Sequence, residues 1–453
     1  MKKKLIHFIF SILVLSIVSC GTTRNKSDLS DVNINYGGTR AAGQKNVLQL
    51  TVDPIPTVRV AIIGTGNRGS KASRRFTFID GVEIKAICDI FENKVKNTQD
   101  IITGRGFPKA DEYVGETAWR EVCERDDIDL VYICTDWTDH APMAVYAMEH
   151  GKHVAIEVPA ATSIDECWQL VDTAEKYRRH CTILENCCYD FFELNTLNMV
   201  QQGLFGEIVH GEGAYIHDLR SQLKGNGWRI KHYEEYIGNP YPTHGLGPIC
   251  QAMNIHRGDK MNYLVSVSTD QFGITQYLED TFGKDSPKAK KNYNMGDMNT
   301  SIIKTEKGKT IMIQHDVTSP RPYSRLHTLS GTKGFIQKYP NPGIALEPNP
   351  HNFLSDEEYN KLIKKYEHPY VTEIGEYAKS VGGHGGMDFI MDYRLIYCLQ
   401  NGLPLDIDVY DVAEWSCLFE LTEISASNGG IPVRMPDFTR GDWDQLDGLK
   451  FAR

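Results

Sequence analysis

The sequence predicts an α/β chain in two parts: a doubly wound parallel sheet, then an α+β domain with a mainly antiparallel sheet. Two observations predict the first part. Strand-like apolar runs alternate with helix-compatible stretches from Val58 to Asn186, and the first run passes directly into a glycine-rich turn. One observation predicts the second. Beyond about residue 190, strand-like runs follow one another through short, hairpin-like turns.

Val58 to Ile63 is a β-rich apolar run of the kind a buried parallel strand needs. Gly64-Thr65-Gly66-Asn67-Arg68-Gly69 follows, then helix-compatible Ser70 to Phe78, then a second strand, Val82 to Cys88, ending at Asp89. Strand, GxGxxG, helix, strand and acidic residue make up the Rossmann dinucleotide signature. Gly64 allows the tight turn, Gly66 lets the backbone approach a pyrophosphate, and Gly69 lets helix and strand pack closely. The pyrophosphate would rest on amides at the helix N-terminus. Asp89 would accept hydrogen bonds from a ribose diol and repel a phosphate, which favours NAD(H) over NADP(H). A purely structural glycine turn is the alternative.

Asp129 to Cys134 reads as the next strand and leads into Thr135 to His140. A helix over Ala141–His150 stops at Gly151, and His153 to Ile156 is a strand running into Glu157-Val158-Pro159. Ser163 and Glu166 form a capping box for a helix to about His180, and Cys181 to Leu184 is a short strand ending at Glu185-Asn186. Ligands in such sheets bind beyond the carboxyl ends of the strands. Those ends gather Gly64–Gly69, Asp89, Thr135–His140, Glu157-Val158 and Asn186.

In the second part, a helix around Phe191–Gln202 precedes strands at Glu207–His217, Tyr263–Thr269, Thr300–Thr305, Thr310–Val317 and Arg325–Lys338. Glu306-Lys307-Gly308 and Gly331 to Gly334 read as hairpin turns, and helices recur around Asp356–Glu367, Met387–Leu399 and Tyr410–Ser427.

Composition narrows the function. The 453 residues carry 49 Lys plus Arg against 59 Asp plus Glu, a net charge of −10, which argues against nucleic acid as a partner. The 11 cysteines include no CxxC pair, so no zinc spacing is present and no metal is expected. Vicinal Cys187-Cys188 reads as a pair of small apolar groups.

At the N-terminus, Lys2-Lys3-Lys4, an apolar run and Ile17-Val18-Ser19-Cys20 read as a secretory signal over residues 1–19. The cysteine after a small residue resembles a bacterial lipoprotein signal, which implies lipidation of Cys20 and an exported, membrane-anchored protein. A plain signal with an incidental cysteine is the alternative. Polar residues 20–56 read as a tether, 57–188 as the NAD-binding domain and 189–453 as the substrate and catalytic domain.

The GxGxRG turn, Asp89, Thr135 followed by His140, Glu157-Val158-Pro159 and an antiparallel domain together resemble the Gfo/Idh/MocA oxidoreductase family. Most of that family carries Glu-Lys-Pro, where this chain has Val158, and valine cannot transfer a proton. A narrower set of segments, GTGNRG (64–69), CTDWTDH (134–140), AIEVPAA (155–161), ENCCY (185–189), Trp228-Arg229, GNPYPTHGLGPICQ (238–251) and HGGMDF (384–389), resembles glycoside hydrolase family 109. That resemblance implies an NAD-dependent α-N-acetylgalactosaminidase. Tightly held NAD would oxidise C3 of the sugar, the C1 group would be eliminated, water would add, and C3 would be re-reduced with no net NAD consumed. A Gfo/Idh/MocA sugar or polyol oxidoreductase with net cofactor turnover is the alternative.

By the same resemblance, His244 is a catalytic acid/base with Tyr241 beside it. Gly64, Gly66, Asn67, Arg68, Gly69, Asp89, Trp137, Thr138, His140, Glu157, Val158 and Asn186 are expected on the cofactor. Glu157, Tyr189, Tyr215, Arg229, Tyr241, His244 and Tyr323 are expected on the sugar, with structural packing as the alternative for the tyrosines. His384 is a further candidate in a glycine-rich loop. The expected partner is a glycan ending in α-linked N-acetylgalactosamine. The membrane is reached only through Cys20, and the assembly is expected to be a homo-oligomer.

Overall fold

A computed structural model describes residues 34–452. The expected signal over 1–19, the lipidation site Cys20 and the first part of the tether lie outside those residues.

The N-terminal sheet is parallel throughout. Its strands are β1 (Val58–Ile63), β2 (Val82–Asp89), β3 (Asp111–Val114), β4 (Leu130–Ile133), β5 (His153–Ile156) and β6 (Cys181–Ile183), in the order β3-β2-β1-β4-β5-β6. The order reverses between β1 and β4, which opens a crevice at their carboxyl ends. β1, β4, β5 and β6 are almost wholly buried, as their unbroken apolar runs require. The capping box at Ser163 is present, with Glu166 reaching back to the cap.

The second sheet has eight strands: β7 (Ile208–Ile216), β8 (Met261–Ser268), β9 (Met298–Thr305), β10 (Thr310–Asp316), β11 (Ser324–Gly331), β12 (Gly334–Gln337), β13 (Gly343–Leu346) and β14 (Val433–Arg434). Their order is β13-β12-β11-β7-β10-β9-β8-β14. All pairs are antiparallel except β7 with β10. The expected helix over Tyr410–Ser427 is divided at Cys417. Among the described residues no helix is long and apolar enough to cross a membrane.

Residues 34–56, read from the sequence as tether, are packed instead. Ile34, Val47 and Leu50 are buried, and the Trp168 indole donates to the Asn35 carbonyl at 2.9 Å. Arg40 pairs with buried Glu175 at 3.0 Å and with Asp442 at 2.6 Å. The amides of Val52 and Ile55 donate to the carbonyls of Gly402 and Leu399. Three well-spaced apolar residues are enough to fix a segment whose average composition is polar, because its backbone also finds partners.

Two glycines set the distance between the second sheet and the helix Thr243–Ala252. A Cβ at Gly213 of β7 would overlap the Gly245 carbonyl, and a Cβ at Gly245 would overlap the Ala214 amide. The helix therefore lies with its backbone against the strand. A third glycine, Gly247, faces Cys188, the Glu185 side chain and Trp415, each 3.1 Å from where its Cβ would stand.

Candidate active site

The glycine turn is built as its spacing requires. Gly64 has φ +87°, and a Cβ there would stand 2.5 Å from the Cys134 carbonyl group at the end of β4. A Cβ at Gly69 would overlap the Gly64 carbonyl oxygen, whereas a Cβ at Gly66 would meet nothing closer than the Lys94 ammonium at 3.8 Å. Gly64 and Gly69 are thus needed by the fold itself, and Gly66 keeps an open space in front of the helix Asn67–Phe76.

That space joins two hollows. One, about 640 Å³, is lined by Gly64, Gly66, Asp89, Phe91 and Lys94 among others. The second, about 690 Å³, is lined by Glu157, Val158, Asn186, Arg229, Tyr241 and His244 among others. They share Asn67, Arg68, Cys134, Thr135 and Trp228. A dinucleotide has this shape, with two nucleoside halves joined by a diphosphate, and the junction lies at a helix N-terminus where amides favour an anion. Asp89 at the end of β2 is aimed by two amides, Thr65 at 2.8 Å and Phe91 at 3.0 Å. The residues present fit an NAD-type cofactor.

A buried ion network holds the floor of the second hollow. Arg68 donates to Glu157 at 2.7 Å and lies 3.5 Å from Asp388. Burial opposes the charge on Arg68, but Glu157 and Asp388 outweigh it and raise its pKa. Asp388 also accepts from the Asn186 amide at 2.6 Å and pairs with His384 at 2.9 Å and Arg75 at 3.4 Å. Burial works against its carboxylate too, yet the His384 hydrogen bond and the two arginines hold it well below the usual carboxylate range. Val158 is buried between Glu157 and Pro159 and presents only an apolar surface to the cavity. His140 ties the loops together: its ring nitrogens face the carbonyls of Pro159 at 2.7 Å and Thr135 at 3.2 Å.

His244 enters from the helix that the glycines press onto β7. Its Nδ1 lies 2.7 and 2.9 Å from the two carboxylate oxygens of Glu185, at the end of β6. Glu185 is fully buried, which disfavours its charge, but His244 and the neighbouring Thr243 hydroxyl lower its pKa. The pair joins the last strand of one sheet to the helix covering the other. With Nδ1 committed, Nε2 is the nitrogen left for chemistry. Tyr241 and Tyr215 flank the imidazole, with centroids 4.9 and 5.4 Å away. Burial raises both phenols, Tyr215 to about 12, so each keeps its proton as a donor.

Arg229 lies over the rings of Trp137 (5.0 Å), Tyr241 (5.3 Å) and Trp228 (5.4 Å). Among the described residues no carboxylate pairs with it. Its segment is held by a small core that includes Leu223, Ile230, Tyr233, Ile274 and Val317. An arginine seated on aromatic faces without an acid partner retains donors for a neutral oxygen ligand.

Two expected residues are not brought to the cavity. Thr138 is exposed and its hydroxyl turns to Asp136 at 2.9 Å. Tyr189 is 5% exposed and sits near Met391 and Arg394, with its hydroxyl donating to Asp406 at 3.4 Å. The other expected cofactor and substrate residues line the two hollows or, like Gly69, shape them. Sequence reasoning missed Glu185, Asp388, Lys71, His217 and Gln222. Glu185 and Asp388 stood inside the quoted segments ENCCY and HGGMDF, while the other three carry no motif.

Comparison with known proteins gives the family. Residues 58–184 match the oxidoreductase family with an NAD-binding Rossmann fold. Residues 189–445 match the C-terminal domain of glycosyl hydrolase 109. The chain is 58% identical over 412 residues to the alpha-N-acetylgalactosaminidase of Bacteroides fragilis, spanning 89% of this chain and 97% of that one. It is 54% identical over 408 residues to a glycosyl hydrolase family 109 protein of Phocaeicola vulgatus, spanning 88% and 99%. A solved levoglucosan dehydrogenase, in complex with NADH and levoglucosan, shares the fold at TM-score 0.64 and 17% identity, covering 84% of this chain and 100% of that one. With a dinucleotide crevice on one sheet and a carboxylate–imidazole pair that ties this sheet to the helix covering the other, the chain belongs to glycosyl hydrolase family 109, a glycosidase family on an NAD-binding oxidoreductase fold.

Proposed function

We propose that the protein hydrolyses terminal α-linked N-acetylgalactosamine from glycans or glycoconjugates, holding NAD tightly and regenerating it within each turnover, with none consumed. One observation carries this reading. Val158 and His244, whose Nδ1 is held by Glu185, line the same cavity, so the position where related oxidoreductases carry a lysine cannot move a proton, and proton transfer falls to the imidazole. The name of the Bacteroides fragilis relative supports the choice of sugar.

When bound, NAD supplies a reversible two-electron acceptor for C3 of the sugar, so that C2–H becomes acidic, the C1 group can leave, water can add and C3 is restored. The chain does the rest. The amides around Gly66 and Asn67 would hold the diphosphate, and Asp89 would accept from the ribose diol. His244 moves the proton at C2 through Nε2, with Glu185 fixing its tautomer and supporting its charged form. The phenols of Tyr215 and Tyr241 donate to sugar hydroxyls, and Arg229 donates to the acetamido carbonyl. Glu157, held by Arg68, accepts from a hydroxyl on the cofactor side. Buried Val158 and Trp137 keep water from the reacting face.

Hydrolysis of an aryl α-N-acetylgalactosaminide in heavy water tests this. Deuterium at C2 of the released sugar, with no NADH accumulating, is expected. Release without deuterium means direct displacement, and NADH rising with product means a net oxidoreductase. Either overturns the reading.

We also propose an exported lipoprotein anchored through Cys20, a reading supported by Lys2–Lys4 and the apolar run that precedes the cysteine. Palmitate labelling that is lost in C20A is expected. A homo-oligomer is proposed as well, supported by exposed Tyr263, Val267 and Ile302 on one face of the second sheet. Sedimentation of the purified chain tests it.

A further inference from the structure

The outer wall of the sugar hollow carries a histidine that the chemistry above leaves unused. His217 follows β7 directly, and its amide donates to the Asp316 carbonyl at 2.9 Å. Its ring stacks on Tyr215 at 5.8 Å and meets Tyr323 edge-on at 5.2 Å. Tyr215 in turn lies 5.4 Å from His244. The rings therefore run outward in the order His244, Tyr215, His217, Tyr323, and the last is 40% exposed.

The two nitrogens of His217 have different surroundings. Nδ1 is buried and has no hydrogen-bond partner. A proton there would lack an acceptor, at a cost of roughly 1–3 kcal/mol. The ring accordingly carries its N–H on Nε2, a donor of fixed direction in a side chain that lines the cavity. Beside it stands the accessible ring of Tyr323, an apolar face with a polar tip. A directed donor next to an exposed aromatic face suits a hydroxylated ring with CH faces.

The position decides which ring. Val158 and Asn186 line the hollow on the cofactor side, and both are buried. The group attached at C1 must extend toward solvent, and Tyr323 is an exposed residue of the lining, on the wall away from the cofactor hollow. We infer that His217 and Tyr323 form an acceptor-side subsite that grips the second sugar of the glycan, with Nε2–H of His217 donating to one of its hydroxyls. This rests on the hydrolase reading and adds that the protein selects for what is attached to the terminal sugar.

The test uses the full NAD-loaded chain, wild type and H217F, which keeps a ring and removes the donor. Each is assayed for kcat/KM on methyl α-N-acetylgalactosaminide and on a disaccharide in which the same sugar is α-linked to galactose. H217F is expected to lose about tenfold more on the disaccharide than on the methyl glycoside, worth about 1.4 kcal/mol. H217Q, which restores an N–H donor, is expected to recover part of that difference, and H217A gives the same ratio should the phenylalanine disturb folding. Equal losses on both substrates, or no loss on either, overturn the subsite alone. Wild-type protein that cleaves neither substrate overturns the hydrolase reading and the subsite with it.

Discussion

His244 and Glu185 meet across the two sheets, Nδ1 to carboxylate oxygen at 2.7 Å, and Glu185 is fully buried. Neither residue has its role alone: the carboxylate fixes the tautomer, and the imidazole justifies a buried charge. E185Q is expected to lower kcat by about 10²-fold or more while bound NAD stays near one per chain. Stopped assays with the cofactor measured by absorbance check both. A kcat within twofold of wild type would remove Glu185 from the mechanism.

The glycines of the turn separate fold from function. G69A drives a Cβ into the Gly64 carbonyl and is expected to cost roughly 1–3 kcal/mol or more in stability, with or without cofactor. G66A meets only the Lys94 ammonium, so its melting temperature without cofactor is expected to match wild type while NAD affinity falls. Melts of both variants, with and without added NAD, distinguish the two outcomes.

A second buried cluster sets a pH limit on stability. His256 lies 2.9 Å from Glu414, 3.3 Å from Asp408 and 3.7 Å from Asp411, with Arg257 paired to Asp411 at 2.6 Å. Burial and Arg257 both oppose its charge, but the three acids prevail and push it up to about 10. A pKa raised on folding stabilises most below the unfolded value of about 6.5. That stability is lost as pH rises through 10. The melting temperature is therefore expected to fall from pH 7 to pH 10. H256Q is expected to flatten that slope and to cost about 3 kcal/mol or more near neutral pH, by leaving the acids less compensated.

The N-terminal segment gives a prediction by truncation. A chain beginning at residue 57 loses Arg40 from Glu175 and exposes the surface under Val47 and Leu50. It is expected to melt about 5 °C or more below a chain beginning at residue 34. Equal melting temperatures would mean the segment is bound but contributes nothing.

How legible all this was depended on which force decides each element. β1 and β5 match their expected strands residue for residue, since burial on both faces demands an apolar run, broken here only by Arg59 and His153. β3 has the sequence Asp111-Glu112-Tyr113-Val114 and lies on the sheet edge mostly exposed, so it had no pattern to show. The helix Thr243–Ala252 contains Gly245, Gly247 and Pro248, and local propensity argues against it. Packing against β7 overrides that propensity, which a reading of neighbours in sequence cannot see. At the site, Asn186 was legible by resemblance while adjacent Glu185 was not, because its partner stands 59 residues away.

The backbone contact between Gly213 and Gly245 also limits how this cavity can change. No side chain fits at either position, so the wall behind His244 cannot retreat to admit a bulkier sugar. The segment from Gln222 through Gly225 and Gly227 to Trp228 is exposed except for Leu223 and is free of that constraint. New substrate range, whether acquired by natural drift or by directed evolution, has to be written on that one wall while the wall behind His244 stays as it is.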